Sequence, residues 1–140
     1  MFQPTEPRTR VLIVDGDRRV RRSLSGILGV SDRVEVVGCA STAAEALDRV
    51  HEACPDAVLI DLDRPDAEAW LDLLPALRGG CPSVAIVVMS AVSTLRNGAL
   101  RAGADAFLNK FEAADTLAEA VVAVSHADSP ESADQIPNVE

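Results

Sequence analysis

The sequence predicts a doubly wound α/β domain, a five-stranded parallel sheet between two layers of helices. Three observations carry that reading. Five short apolar runs recur along the chain, stretches of helical periodicity separate them, and acids, a serine and a lysine stand at the C-terminal ends of the runs. Runs that are apolar on both faces suit parallel strands covered from both sides. Right-handed crossovers then divide the helices between the two faces.

The first strand is expected at Val11-Leu12-Ile13-Val14, followed by a helical stripe of Val20, Leu24, Ile27 and Leu28. The second is Val34 to Gly38. After it, Thr42 and Glu45 form a capping box, and Ala43, Leu47, Val50 and Cys54 continue the stripe. Ala57 to Ile60 reads as the third strand. Trp70, Leu73, Leu74 and Leu77 mark the third helix, which Pro75 should kink or end early. Val84 to Met89 is the fourth strand, and Leu95, Ala99 and Ala102 give a weaker helix loosened by Gly98. A short fifth strand, Ala106 to Leu108, precedes a helix marked by Leu117, Ala120, Val121 and Val124. The expected boundaries are an N-terminal extension over 1–9, one domain over 10–126 and a flexible, polar tail over 127–140.

Bulk properties narrow the function. A chain of 140 residues fits one domain, and a hydrophobic fraction of 48% supports a real core. The net charge of -9 argues against direct nucleic-acid binding or an anionic membrane as partner. No apolar run approaches the ~20 residues of a membrane helix, and Met1 to Arg10 lacks the apolar core of a secretory signal. A cytoplasmic location is therefore expected. Cys39, Cys54 and Cys81 are odd in number and widely spaced, so they are expected to be unpaired thiols, with neither a disulfide nor a zinc site. His51 and His126 have no ligand-type neighbours in sequence.

In an open parallel sheet, a site lies beyond the carboxyl ends of the strands. Asp15-Gly16-Asp17 follows the first strand, Asp61 and Asp63 the third, Ser90 the fourth, and Lys110 the fifth. Two carboxylates about 4 Å apart repel by a few kcal/mol at an effective dielectric near 20. They stay together only with a cation between them or with a raised pKa. Mg²⁺ suits carboxylates plus phosphate. One carboxylate can then attack a phosphoryl group, whose oxygens a lysine and a hydroxyl would meet.

Asp15 after a strand, Pro55-Asp56-x-x-Leu59-Ile60-Asp61, Met89-Ser90-Ala91 and Gly103-Ala104-Asp105-x-Phe107-x-x-Lys110 together resemble the signature of bacterial response-regulator receiver domains. The resemblance runs from about Arg10 to about Val124 and looks closest to the receivers of helix-turn-helix transcription factors. It implies a flavodoxin-like sheet of order 2-1-3-4-5 and a phosphorylation-dependent signalling switch of two-component systems. Asp61 would accept phosphate from a histidine kinase or phosphotransfer protein. Asp15, Asp61 and the backbone carbonyl of Asp63 would hold Mg²⁺. Lys110 and Ser90 would meet the phosphoryl group, and Phe107 would move inward with Ser90. The output would be a protein target or a homodimer, engaged through the face of the fourth helix, fifth strand and fifth helix. No helix-turn-helix output segment fits after Lys110, so a stand-alone receiver is expected. No enzymatic activity is expected beyond its own phosphorylation and dephosphorylation.

The sequence departs from the family in several places. Gly16 stands where most receivers carry a second acid, which implies weak Mg²⁺ binding. Asp17 is either a substitute ligand or the N-cap of the helix starting at Arg18. Phe111 follows Lys110 where the family usually has a cis proline. A cis bond there would cost ~2.5–4 kcal/mol, so a trans, differently shaped loop is expected. Phe107 has no hydroxyl and is either ordinary core or a switch by packing alone. Asp63 is either a solvated loop acid or a charge that repels a phosphodonor. Arg18, Arg19, Arg21 and Arg22 are a solvated face or a dock for an acidic partner, and Trp70 is expected in the core. Two other functions fit: a phosphorylation-independent interaction or dimerisation module, and a haloacid-dehalogenase-type phosphatase with Asp15 as nucleophile.

Overall fold

A computed structural model of the chain describes residues 7–63, 67–110 and 116–126. The strands are β1 (Thr9–Val14), β2 (Val34–Ala40), β3 (Ala57–Asp61), β4 (Ala85–Ser90) and β5 (Ala106–Asn109). They form one sheet in the order β2-β1-β3-β4-β5, every neighbouring pair parallel. The helices are α1 (Arg18–Gly29), α2 (Ala43–Ala53), α3 (Ala67–Leu71), α4 (Leu73–Gly80), α5 (Leu95–Ala102) and α6 (Leu117–Ser125).

The alternation of side chains along a strand builds the core as two separate layers. Leu12, Val14, Val58, Ile60, Ile86 and Val88 face α2 through α5, together with Ala46, Val50, Trp70, Leu74, Leu77 and Ala99. Val11, Ile13, Leu59, Val87 and Met89 face the other way, against Leu24, Leu28, Leu117, Val121 and Val122 of α1 and α6. Every residue of β3 and β4 is buried, as the apolar runs require. Each fully buried aliphatic side chain contributes roughly 1.5–3 kcal/mol relative to exposure.

Local signals set the helix ends. Asp17 caps α1, its Oδ1 accepting from the Arg19 N–H at 2.8 Å. Thr42 Oγ1 accepts from the Glu45 N–H at 3.1 Å, and Glu45 reaches back to the Ser41 N–H at 2.8 Å. The carboxylate thus satisfies the residue before the cap rather than the cap itself. Gly103 ends α5 with a φ of 117°, a left-handed geometry that glycine adopts without a Cβ penalty.

Two acids of the motif fragments serve the sheet itself, at the end away from the site. Asp56 Oδ2 accepts from the Arg10 N–H at 2.8 Å, and Asp105 Oδ2 accepts from the Ile86 N–H at 2.7 Å. Arg78 ties α4 to the same corner, donating to the carbonyls of Val84 and Gly103 and to Asp105.

Three expectations are corrected. The third helical stretch breaks at Asp72, ahead of Pro75, and becomes α3 and α4. Pro75 then lies in the first turn of α4, where a missing N–H costs little. Cys54 does not continue the stripe of α2. It caps the helix in a left-handed conformation and is exposed. The three cysteines are not all free thiols: Cys54 and Cys81 form a disulfide with a Cα–Cα distance of 5.5 Å. The reason is topological. Cys54 and Cys81 follow the C-termini of α2 and α4, which pack on the same face and end at the same rim. Cys39 remains free and half-buried. Phe111, the Lys110–Phe111 bond and the tail over 127–140 lie outside the described residues.

The bridge closes a span of 27 residues. Its removal is expected to lower stability by about 2–4 kcal/mol through the entropy of the unfolded chain. Urea unfolding of the protein with and without reductant, and of a Cys54→Ser/Cys81→Ser double variant, checks this. A midpoint insensitive to both would show that the bridge does not restrain the unfolded chain.

Candidate functional site

The parallel register brings the strand ends together. Val14 lies opposite Ile60, Asp61 opposite Met89, and Ser90 opposite Asn109. Asp15, Asp61, Ser90 and Lys110 therefore stand side by side along one rim. The sheet order reverses between β1 and β3, and Asp15 and Asp61 flank that switch point, where open α/β sheets bind ligands.

Asp61 is 2% exposed. Its Oδ1 accepts from the Asp63 N–H at 2.8 Å. Its Oδ2 touches the Lys110 ammonium at 2.6 Å, an ion pair approached too obliquely for a regular hydrogen bond. Asp15 is also buried, with Oδ1 accepting from the Asp17 N–H at 2.6 Å. Burial pushes the Asp15 carboxyl up, the Asp17 N–H pulls it down, and the neighbouring Asp61 carboxylate pushes it up again. The outcome is a pKa of about 6 against an ordinary 3.8.

Lys110 pairs with two acids, Asp61 and, at 3.1 Å, Asp63. Burial would lower its pKa, but the close contacts with Asp61 and Asp63 and the charge of both carboxylates outweigh that and raise it. Burial likewise pushes Asp63 up, and the Ser90 hydroxyl, the Ala91 N–H and Lys110 more than reverse it. Ser90 is fully buried and donates to Asp63 Oδ1 at 2.6 Å. The Ala91 N–H points to both Asp63 oxygens, at 3.1 and 3.0 Å. Asp63 is an exposed residue whose carboxylate nonetheless has three donors, Ser90, Ala91 and Lys110. Phe107 is 9% exposed and packs in the core layer with Ala99, Leu95 and Ala102.

Asp15 and Asp61 present two adjacent carboxylates, and burial first and then the Asp61 charge raise the Asp15 pKa. That donor set fits a hard divalent cation, with the remaining positions filled by carbonyl or water oxygens. Asp17 caps α1 through Oδ1, the second of the two roles its position suggested. Gly16 offers no side-chain donor. Among the described residues no three His, Cys, Asp or Glu side chains come together to hold a metal. Of the arginines on α1, Arg18, Arg19 and Arg22 are exposed, whereas Arg21 donates to the Asp15 carbonyl at 2.8 Å.

Sequence reasoning assembled Asp15, Asp61, Ser90 and Lys110 but missed two contributors. The Ala91 N–H is a backbone donor with no signature of its own. The Asp63 side chain was visible only as an extra acid, and its direction depends on the turn after β3.

Comparison with known proteins agrees with this geometry. A family model described as "Response regulator receiver domain" matches residues 11–122. The chain is 36% identical over 104 residues to a protein-glutamate methylesterase/protein-glutamine glutaminase of Myxococcus xanthus, covering 72% of this chain and 30% of that protein. It is 29% identical over 122 residues to the response regulator VraR of Staphylococcus aureus, covering 86% and 58%. The chain therefore spans less than two thirds of these relatives. Among solved structures, the signal receiver domain of the response regulator NarL from Mycobacterium tuberculosis superposes with a TM-score of 0.75 at 27% identity. That match covers 86% of this chain and 98% of the other. The chain belongs to the response regulator receiver domain family, the signalling module of two-component systems.

Proposed function

We propose that Asp61 is the phosphoacceptor of this receiver and that the domain works as a phosphorylation-dependent switch. The observation that carries the reading is the setting of the Asp61 carboxylate. It lies buried at the C-terminal end of β3, with Lys110 at 2.6 Å on one side and Asp15 against it on the other. In the transfer, an oxygen of Asp61 attacks the phosphorus of a phosphohistidine, the P–N bond breaks, and an acyl phosphate forms. Lys110 then offsets the added charge, and the Ser90 hydroxyl and Ala91 N–H are placed to donate to phosphoryl oxygens.

Receiver domains generally bind Mg²⁺ at the phosphorylation site. Here Asp15, Asp61 and the Asp63 carbonyl would hold it, and it would neutralise charge on the transferring group. With Gly16 in place of a second acid, the affinity is expected to be low.

Receiver domains interact with histidine kinases or phosphotransfer proteins. A groove beside Lys110 supports docking of such a donor: Val20, Leu24, Ile27, Met89 and Leu117 line it, and Arg19 rims it. Output would run through α5, β5 and α6, to a protein target or a second copy; the packing of Phe107 of β5 against Leu95, Ala99 and Ala102 of α5 supports it. No helix among the described residues is long and apolar enough to cross a membrane. We place the switch in the cytoplasm. The chain is a signalling module, and the methylesterase named for one relative is a property of that longer protein.

Intact mass measures the function. With Mg²⁺ and a small phosphodonor, the protein is expected to gain one phosphoryl group, and a chelator should suppress the gain strongly. No gain with either acyl-phosphate or phosphoramidate donors would leave the phosphorylation-independent module as the better reading.

A further inference from the structure

The three donors assigned above to a phosphoryl group are already engaged. The Ser90 hydroxyl, the Ala91 N–H and the Lys110 ammonium converge on the Asp63 carboxylate at 2.6, 3.0 and 3.1 Å. Ser90 Oγ also accepts from the Val92 N–H at 2.9 Å, so its one proton is committed to Asp63. The Asp63 N–H holds Asp61 Oδ1 at 2.8 Å, which fixes the short tether between the two acids. A carboxylate thus takes the hydrogen bonds that phosphate would take, two residues from the atom that phosphate would join.

We propose that the Asp63 carboxylate is a built-in occupant of the phosphoryl subsite, which phosphoryl transfer to Asp61 must displace. The inference rests on reading Asp61 as the acceptor. It makes Asp63 the residue that sets the rate of phosphorylation. It also gives the unphosphorylated protein the local arrangement of the phosphorylated one, with Ser90 turned to an anion and Phe107 buried. A histidine kinase or other donor therefore meets an occupied site, and displacement requires the Asp63 side chain to swing to solvent. The side chain is already 24% exposed, so the path is open.

The test uses the full chain, Mg²⁺ and acetyl phosphate. The rate of phosphoryl gain is followed by intact mass for wild type, Asp63→Ala and Asp63→Asn. Removing the carboxylate frees three donors, each of which binds a charged acceptor more strongly than water repays, so Asp63→Ala should react about tenfold faster or more. Asp63→Asn keeps an acceptor without the charge and should fall between. Equal rates for all three would overturn the proposal. So would equal acceleration by Ala and Asn that vanishes at high salt, because Asp63 would then act only as a distant charge.

A second measurement needs no phosphodonor. The Ala91 amide proton should resonate downfield in wild type and move upfield in Asp63→Ala. An Ala91 signal that stays in place overturns the proposal whatever the labelling shows. An Ala91 shift with no variant labelled at Asp61 supports the occupied subsite and instead overturns the acceptor reading on which it was built.

Discussion

Replacing Lys110 with alanine is expected to destabilise the protein by about 2–4 kcal/mol at pH 7.5 and to cut phosphorylation sharply. Breaking a fully buried ion pair by deleting one partner typically costs about 3–5 kcal/mol, because an uncompensated charge stays behind. Lys110 keeps 26% of its side chain exposed, and water moderates the loss. Asp61 has no such relief, with 1% of its side chain exposed and no hydrogen-bond donor on Oδ2. The raised pKa of Lys110 places its contribution at every pH below about 10.5, to be lost only above the still higher folded value. Asp63, held below its ordinary 3.8, contributes above that pH and loses its share as pH falls further. Urea unfolding of wild type, Lys110→Ala and Lys110→Met checks the prediction. Methionine keeps the apolar stem, so an equal loss in both variants assigns the effect to the charge. A loss under about 0.5 kcal/mol in both would place Lys110 among ordinary surface residues.

Asp15→Asn is expected to act in the opposite direction on stability. Asp15 has a folded pKa of about 6 against 3.8 when unexposed to the fold. Between those values the folded state binds more protons than the unfolded state, so stability falls as pH rises through the window. Above pH 6 the ionised carboxylate carries a penalty on the order of 2–3 kcal/mol. Asparagine removes the charge, and its Oδ1 can still accept from the Asp17 N–H. The metal-free variant should therefore be more stable than wild type by up to that amount at pH 7.5 and equal to it below about pH 4. The same substitution deletes a proposed metal ligand, so the gain from added Mg²⁺ should shrink. A site that destabilises the empty fold in order to attract a cation is the expected compromise between stability and function. Urea unfolding at several pH values with and without Mg²⁺ measures both effects, and stability curves that run parallel for the two proteins would contradict them.

How much could be read in advance depended on how local each cause was. The strands were legible because β3 and β4 are buried on both faces and so lack polar interruptions. The convergence of Asp15, Asp61, Ser90 and Lys110 followed from strand order and from the rule that sites lie beyond the carboxyl ends. The Asp17 cap was one of two readings, and the bond from the Arg19 N–H shows it formed. Contacts between distant segments were not legible. Pairing Cys54 with Cys81 requires the C-termini of α2 and α4 to meet, a tertiary fact absent from their spacing. The break at Asp72 reflects the freedom of Pro75 to start a helix as well as to end one. The partners of Asp63 were hidden for a related reason, since nothing in its neighbours states which way a loop side chain turns.

The most direct test of the central claim is the position of the phosphoryl group. Wild-type protein is incubated with Mg²⁺ and a phosphodonor, the acyl phosphate is trapped by borohydride reduction, and the modified residue is located by peptide sequencing. A single modified position, Asp61, is expected in wild type, and none in Asp61→Asn. Modification at Asp15 would contradict it and point to phosphatase-type chemistry at the end of β1.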